Sequence, residues 1–106
     1  MMSAARSVPS AVAVLVVDDK PLESERLRVL LEANGYDVIL AAHGADALAR
    51  ARLAPPDVVI SDSVLPEMDG YELCAVIKAD PALKLIPVLL LTQLTDPHDI
   101  IKGLQA

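Results

Sequence analysis

Short unbroken apolar runs alternate along this chain with longer stretches in which apolar residues return at helical spacing. The runs are residues 11–17 (AVAVLVV), 36–41, the Val58-Val59-Ile60 segment and 87–91. Their length and their Val, Ile and Leu content suit strands covered on both faces. Between them, Pro21 sits where a helix begins, and the pattern predicts a helix with Leu22, Val29, Leu30 and Ala33 on one face. Leu27 and Leu31 lie beside that face, Glu23, Glu25, Arg26, Arg28 and Glu32 turn to water, and Asn34-Gly35 ends the helix. A short Ala-rich second helix is expected over 44–53 around Leu48, broken by Pro55-Pro56. A third over 70–79 is buried through Leu73, Val76 and Ile77 and stops at Asp80-Pro81. A fourth starts at Asp96-Pro97 and carries Ile100, Ile101 and Leu104. Four successive strand and helix units imply a doubly wound parallel α/β sheet.

Composition sharpens this picture. The 106 residues leave room for one domain, and 54% of them are hydrophobic, which excludes disorder. Two tyrosines are the only aromatics, so the core must be built from Val, Leu, Ile and Ala. The net charge of −6, with scattered Lys and Arg, argues against nucleic acid and for protein or metal partners. Cys74 is the single cysteine and reads as a core filler among Leu73, Val76 and Ile77. Residues 1–10 read as a flexible lead-in without the apolar region of a signal peptide, and 11–106 as the domain. No run reaches membrane-spanning length, and a cytoplasmic location is expected.

The candidate chemistry lies at the strand ends. The first strand finishes in Asp18-Asp19, the third in Asp62, and the fourth in Thr92. In a sheet of order 2-1-3-4 the first and third strands are neighbours, so three carboxylates converge at the switch point, where ligands bind in open α/β sheets. Converging carboxylates repel unless a cation is present or one takes up a proton. An all-oxygen, open site suits Mg²⁺ held partly by a substrate phosphate, which points to phosphoryl chemistry. Taken singly, each residue also has a plain structural role. Asp18 or Asp19 could cap the Pro21 helix, Thr92 could bond backbone, and His43 and His98 read as solvated. Leu65 and Met68 read as loop packing.

Val-Val-Asp18-Asp19, Asp62-Ser-Val-Leu-Pro66-Glu-Met-Asp69-Gly70 and Leu-Leu-Leu-Thr92 together resemble the receiver domain of two-component response regulators over about residues 11–106. The resemblance implies the flavodoxin-like fold, CheY-like; the strand order 2-1-3-4-5 comes with the family and is not a result of the spacing. It implies that Asp62 is a phosphoacceptor, taking a phosphoryl group from a phosphohistidine on a histidine kinase or phosphotransfer protein. By the same resemblance, Asp18, Asp19, Asp62 and the Val64 backbone carbonyl hold Mg²⁺. Thr92 bonds a phosphoryl oxygen and moves inward as the switch. Catalysis would be limited to self-catalysed phosphorylation and dephosphorylation.

The chain departs from that pattern at its end. A full receiver continues into a fifth strand opening with a lysine, a switch aromatic and a fifth helix, and this chain stops at Ala106. Lys102 is the one Lys or Arg after Thr92 and belongs to the fourth helix, so the lysine's role is not transferred to it. Losing such a charged contact costs about 1.5–3 kcal/mol. The expected sheet is therefore 2-1-3-4 with the fifth strand and helix missing, and its bare fourth-strand edge invites self-association. Gln93 is expected to crowd the approach to Asp62. A docking module that no longer accepts phosphate, or an isolated fragment of a hybrid kinase or regulator, is the alternative. A hydrolase using Asp62 as nucleophile would want an acid or base two residues on, where Val64 stands.

Overall fold

A computed structural model describes residues 11–92 and 95–105. The apolar runs form four strands, β1 (Ala13–Val17), β2 (Asp37–Ala41), β3 (Val58–Asp62) and β4 (Val88–Leu91). They alternate with α1 (Pro21–Ala33), α2 (Gly44–Leu53), α3 (Gly70–Ala79) and α4 (Pro97–Gln105). All strand pairs are parallel and the order is β2-β1-β3-β4. This is the doubly wound α/β arrangement that the alternation predicts, and it holds for the described residues. The lead-in over 1–10 and the crowding expected of Gln93 lie outside them.

Strand alternation divides the core in two. Leu15, Val17 and Val59 point to one face of the sheet and pack with Ala47, Leu48, Ala51, Leu73 and Ile77 of α2 and α3. Val14, Val16, Val58 and Ile60 point to the other and pack with Leu27 and Leu31 of α1 and Ile100 and Ile101 of α4. With β1 buried at every position, neither face could accept a charge, which explains its unbroken apolar run. The strand starts differ slightly from the apolar runs. Val12 is 40% exposed and precedes β1. Tyr36 precedes β2, and Pro87, lacking an N–H, precedes β4 while its carbonyl accepts from Val59 N at 3.0 Å. Asp57 fastens the entry to β3: its carboxylate accepts from Ala13 N at 2.7 Å and its own N–H donates to Ala13 O at 2.8 Å.

The expected apolar face of α1 is corrected. Ser24, Leu27 and Leu31 are buried, whereas Leu22 and Val29 are 65% and 55% exposed and Ala33 is exposed too. Val29 lies about 200° round the helix from Leu27 and from Leu31, at 100° per residue, so the two sets cannot face the sheet together. Leu30 lies between them and packs at the margin of the core. Ser24 is tolerated inside because its hydroxyl donates to Pro21 O at 3.1 Å. On α3, Leu73 and Ile77 are buried, while Val76 and Cys74 are half-buried, so the thiol sits at the edge of the core.

Candidate functional site

Register places the reactive side chains. Val17 of β1 is level with Ser61 of β3, and Asp62 is level with Leu91 of β4. Asp18, Asp62 and Thr92 therefore leave the sheet side by side at the carboxyl ends of three adjacent strands. Asp18, Asp19 and Asp62 each offer a carboxylate oxygen lying within 4.8 Å of the other two. Asp18, Asp62 and Thr92 line one open cleft of about 420 Å³ with Lys20, Arg26, Thr95 and Ile100 among its other walls. Lys102 is not in that lining, as its place on α4 led us to expect.

Local backbone chemistry aims each carboxylate. α1 begins at Pro21 with Lys20 as its N-cap residue and no side-chain cap bond. Neither Asp18 nor Asp19 is used as the helix cap. Instead Asp18 Oδ1 accepts from Lys20 N at 2.8 Å, a tight Asx turn that holds the carboxylate over the strand end. Asp62 Oδ1 accepts from Val64 N at 3.2 Å, which leaves Oδ2 turned toward the cleft.

The loop from Asp62 to Gly70 is folded back tightly. Gly70 N donates to Ser63 O at 3.0 Å, and Asp69 caps α3 in a reciprocal capping box with Glu72. Met68 N donates to Pro66 O at 2.7 Å across Glu67, whose φ is +66°, a left-handed γ-turn. Leu65 is buried and Met68 packs on the core, as loop packing requires.

The electrostatics are those of crowded acids. Burial pushes the Asp18 carboxyl above its ordinary value, and the Asp62 charge adds to this against the lowering effect of the Lys20 N–H. The sequence leaves open whether a cation relieves such crowding, and the chain itself supplies one. Lys20 Nζ lies 3.0 Å from Asp62 Oδ2 and 3.3 Å from Asp19 Oδ1. Those contacts, the Asp62 bond first, raise the lysine's pKa well above its ordinary range. The strand-end reading missed Lys20 because it counted carboxylates; the signal available was an ammonium adjacent to the Asp-Asp pair. A second missed residue is Thr95, whose Oγ1 accepts from Thr92 N at 3.0 Å and lies 3.3 Å from the Thr92 hydroxyl. His43, read as solvated, is exposed but also caps α2, its Nδ1 accepting from Asp46 N at 3.3 Å. His98 is exposed and shares Asp96 Oδ1 through its backbone N–H at 2.9 Å and its Nδ1 at 3.1 Å.

A chain with this sheet order, three converging carboxylates and a hydroxyl on the next strand invites comparison with known proteins. A family model described as the response regulator receiver domain matches residues 14–106. The chain belongs to that family. Among related receivers, the DNA-binding response regulator MtrA of Mycolicibacterium smegmatis is 38% identical over 93 residues, covering 88% of this chain and 40% of that protein. The response regulator PleD of Caulobacter vibrioides is 40% identical over 93 residues, 88% of this chain and 20% of PleD. The chain thus spans less than half the length of these relatives. The receiver domain of a signal transduction histidine kinase from Syntrophus aciditrophicus superposes with a TM-score of 0.75 at 43% identity, over 90% of this chain and 72% of that one. The chemotaxis response regulator CheY4 of Vibrio cholerae superposes at 0.84 and 29% identity, over 91% and 98%. Membership of the response regulator receiver family is consistent with two-component phosphorelay signalling.

Receiver domains generally hold Mg²⁺ through acidic residues, and the acidic cluster here meets that requirement. Mg²⁺ takes oxygen ligands at about 2.0–2.1 Å, so oxygens on opposite sides of it stand about 4 Å apart. Asp18, Asp19 and Asp62 offer oxygens within 4.8 Å of one another, close to that spacing. No helix among the described residues is long and apolar enough to cross a membrane.

Proposed function

We propose that Asp62 is the phosphoacceptor of this receiver domain, the donor being a phosphohistidine on a histidine kinase or phosphotransfer protein. The observation that carries the reading is the convergence of Asp18, Asp19 and Asp62 within 4.8 Å, with Asp62 half-buried at the mouth of an open cleft. One oxygen of Asp62 attacks phosphorus, the P–N bond to the imidazole breaks, and its electron pair returns to the ring nitrogen. The product is an aspartyl phosphate. The Val64 N–H holds Oδ1 and fixes the carboxylate plane, so Oδ2 is the oxygen presented to the cleft. Thr92, on the same cleft, supplies a hydroxyl to a phosphoryl oxygen and is the element that moves when the new charge arrives. Asp18, Asp19, Asp62 and the Val64 carbonyl would hold Mg²⁺, which when bound neutralises charge on the transferring group.

Incubation with Mg²⁺ and a small phosphodonor such as acetyl phosphate, read by intact mass, tests this. One phosphoryl group should be gained and should be lost in Asp62→Asn. An unchanged mass would overturn the reading in favour of a docking module that keeps the fold alone.

Two further assignments belong with it. The net charge of −6 favours protein partners, and we assign no nucleic-acid contact to this segment. Among the described residues β4 pairs with β3 alone, which leaves its other edge for a further strand. Strand addition by a second copy would cover it, and a sedimentation profile that stays monomeric as concentration rises would overturn that assignment.

A further inference from the structure

Lys20 occupies an unusual place in the acidic cluster. Its side chain is 45% exposed and reaches in from solvent, whereas the Asp62 side chain it meets is 15% exposed. The Asp62 oxygen it contacts is Oδ2, the one not engaged by the Val64 N–H. The same ammonium bridges to Asp19, so one cation spans two of the three carboxylates. Its backbone is committed separately: Lys20 N donates to Asp18 and Lys20 O accepts from Ser24 N at 3.0 Å, so the turn stays anchored while the side chain swings.

We infer that the Lys20 ammonium is a tethered counter-ion that competes with the divalent cation for the acidic cluster, and so sets how much metal this receiver needs. The inference rests on the cluster being the Mg²⁺ site, and its physical basis is local charge balance. Three carboxylates this close require positive charge, and an ammonium already on the chain supplies it at no loss of translational freedom. A metal ion entering between Asp19 and Asp62 must first displace the lysine from the oxygens they share. Lys20 is thus a positioning residue: in the resting state it pairs with Asp19 Oδ1 and Asp62 Oδ2, and it withdraws, freeing Oδ2, when the metal supplies the positive charge instead.

The test is Mg²⁺ binding without any phosphodonor, measured by calorimetry on the whole chain and on Lys20→Met, which keeps the length of the stem and removes the charge. The metal should bind Lys20→Met about 1.5- to fivefold more tightly, the span expected for releasing a half-exposed ion pair. Lys20→Arg, which retains the cation, should bind near the wild-type level. Thermal melts supply a second readout. Without metal, Lys20→Met should melt below wild type, because Asp19 and Asp62 have lost their partner, and added Mg²⁺ should close the gap. Equal or weaker metal binding by Lys20→Met, with wild type binding normally, would overturn the role of Lys20 while leaving the Mg²⁺ site standing. Failure of both proteins to bind Mg²⁺, or binding that survives Asp62→Asn unchanged, would overturn the site as well. Binding by Lys20→Met alone would support the inference in its strongest form.

Discussion

A β-carbon on Gly70 would stand 2.3 Å from the Asp62 carbonyl oxygen and 2.9 Å from Ser63 Cα. The first turn of α3 is therefore pressed directly against the backbone that carries the candidate phosphoacceptor. Both close neighbours are main-chain atoms, which cannot swing aside as a flexible side chain would.

Gly70→Ala should consequently displace the end of β3 or the start of α3. We expect a loss of about 1–3 kcal/mol, the usual cost of overpacking a tight site. Amide shifts should move most at Asp62 and Ser63, and phosphoryl uptake should fall with them. Urea melts and a backbone NMR spectrum check this. A variant with wild-type stability and unmoved Asp62 and Ser63 signals would show that the contact yields freely.

The parts of the molecule that were legible in the sequence were those fixed by main-chain periodicity. Runs such as 11–17 announced strands covered on both faces, though β1 itself starts at Ala13, and once the family resemblance implied the order 2-1-3-4, Asp18, Asp19 and Asp62 had to share an edge. The Asp69-to-Glu72 spacing of a capping box was equally open to reading. What escaped depended on side-chain reach or helix phase. Leu22 and Val29 weigh as much as Leu27 and Leu31 in an apolar pattern, and only the rotation of α1 on the sheet separates them. Lys20 follows Asp19 in sequence, yet its contact to Asp62 crosses 42 positions. The role of Thr95 likewise needed the turn that brings its hydroxyl back to Thr92.

That Thr95 contact yields a prediction about the switch. The Thr95 hydroxyl accepts from the Thr92 N–H and faces the Thr92 hydroxyl, so it steadies the strand end from which Thr92 would move. Thr95→Val keeps the shape and removes the acceptor. A neutral bond of this kind contributes about 0.5–1.5 kcal/mol, so exchange of the Thr92 amide should quicken by about two- to tenfold. Global stability should fall by no more than the same amount. Hydrogen exchange followed by NMR checks it, and an unchanged Thr92 rate would show that the hydroxyl contributes no protection.

Acid should weaken the fold partly through Asp80. Its Oδ1 accepts from Ala82 N at 2.8 Å and its Oδ2 from Arg52 Nε at 3.2 Å, tying the end of α3 to α2. The Ala82 N–H first, and then Arg52, hold the carboxyl below its ordinary value near 3.8. Because the native state prefers the ionised form, this contribution is complete above that ordinary value and disappears as pH falls through the lower native one. Asp80→Ala should thus be less stable than wild type at neutral pH, and the difference should shrink on acidification below about pH 4. Asp80→Asn keeps an acceptor for the Ala82 N–H but lacks the charge facing Arg52, so its deficit at neutral pH should be smaller. It should shrink in the same window. Denaturant melts across the pH series check both variants. A deficit for Asp80→Ala that does not shrink as the pH is taken below about 4 would mean that the side chain acts through its shape and not through its charge.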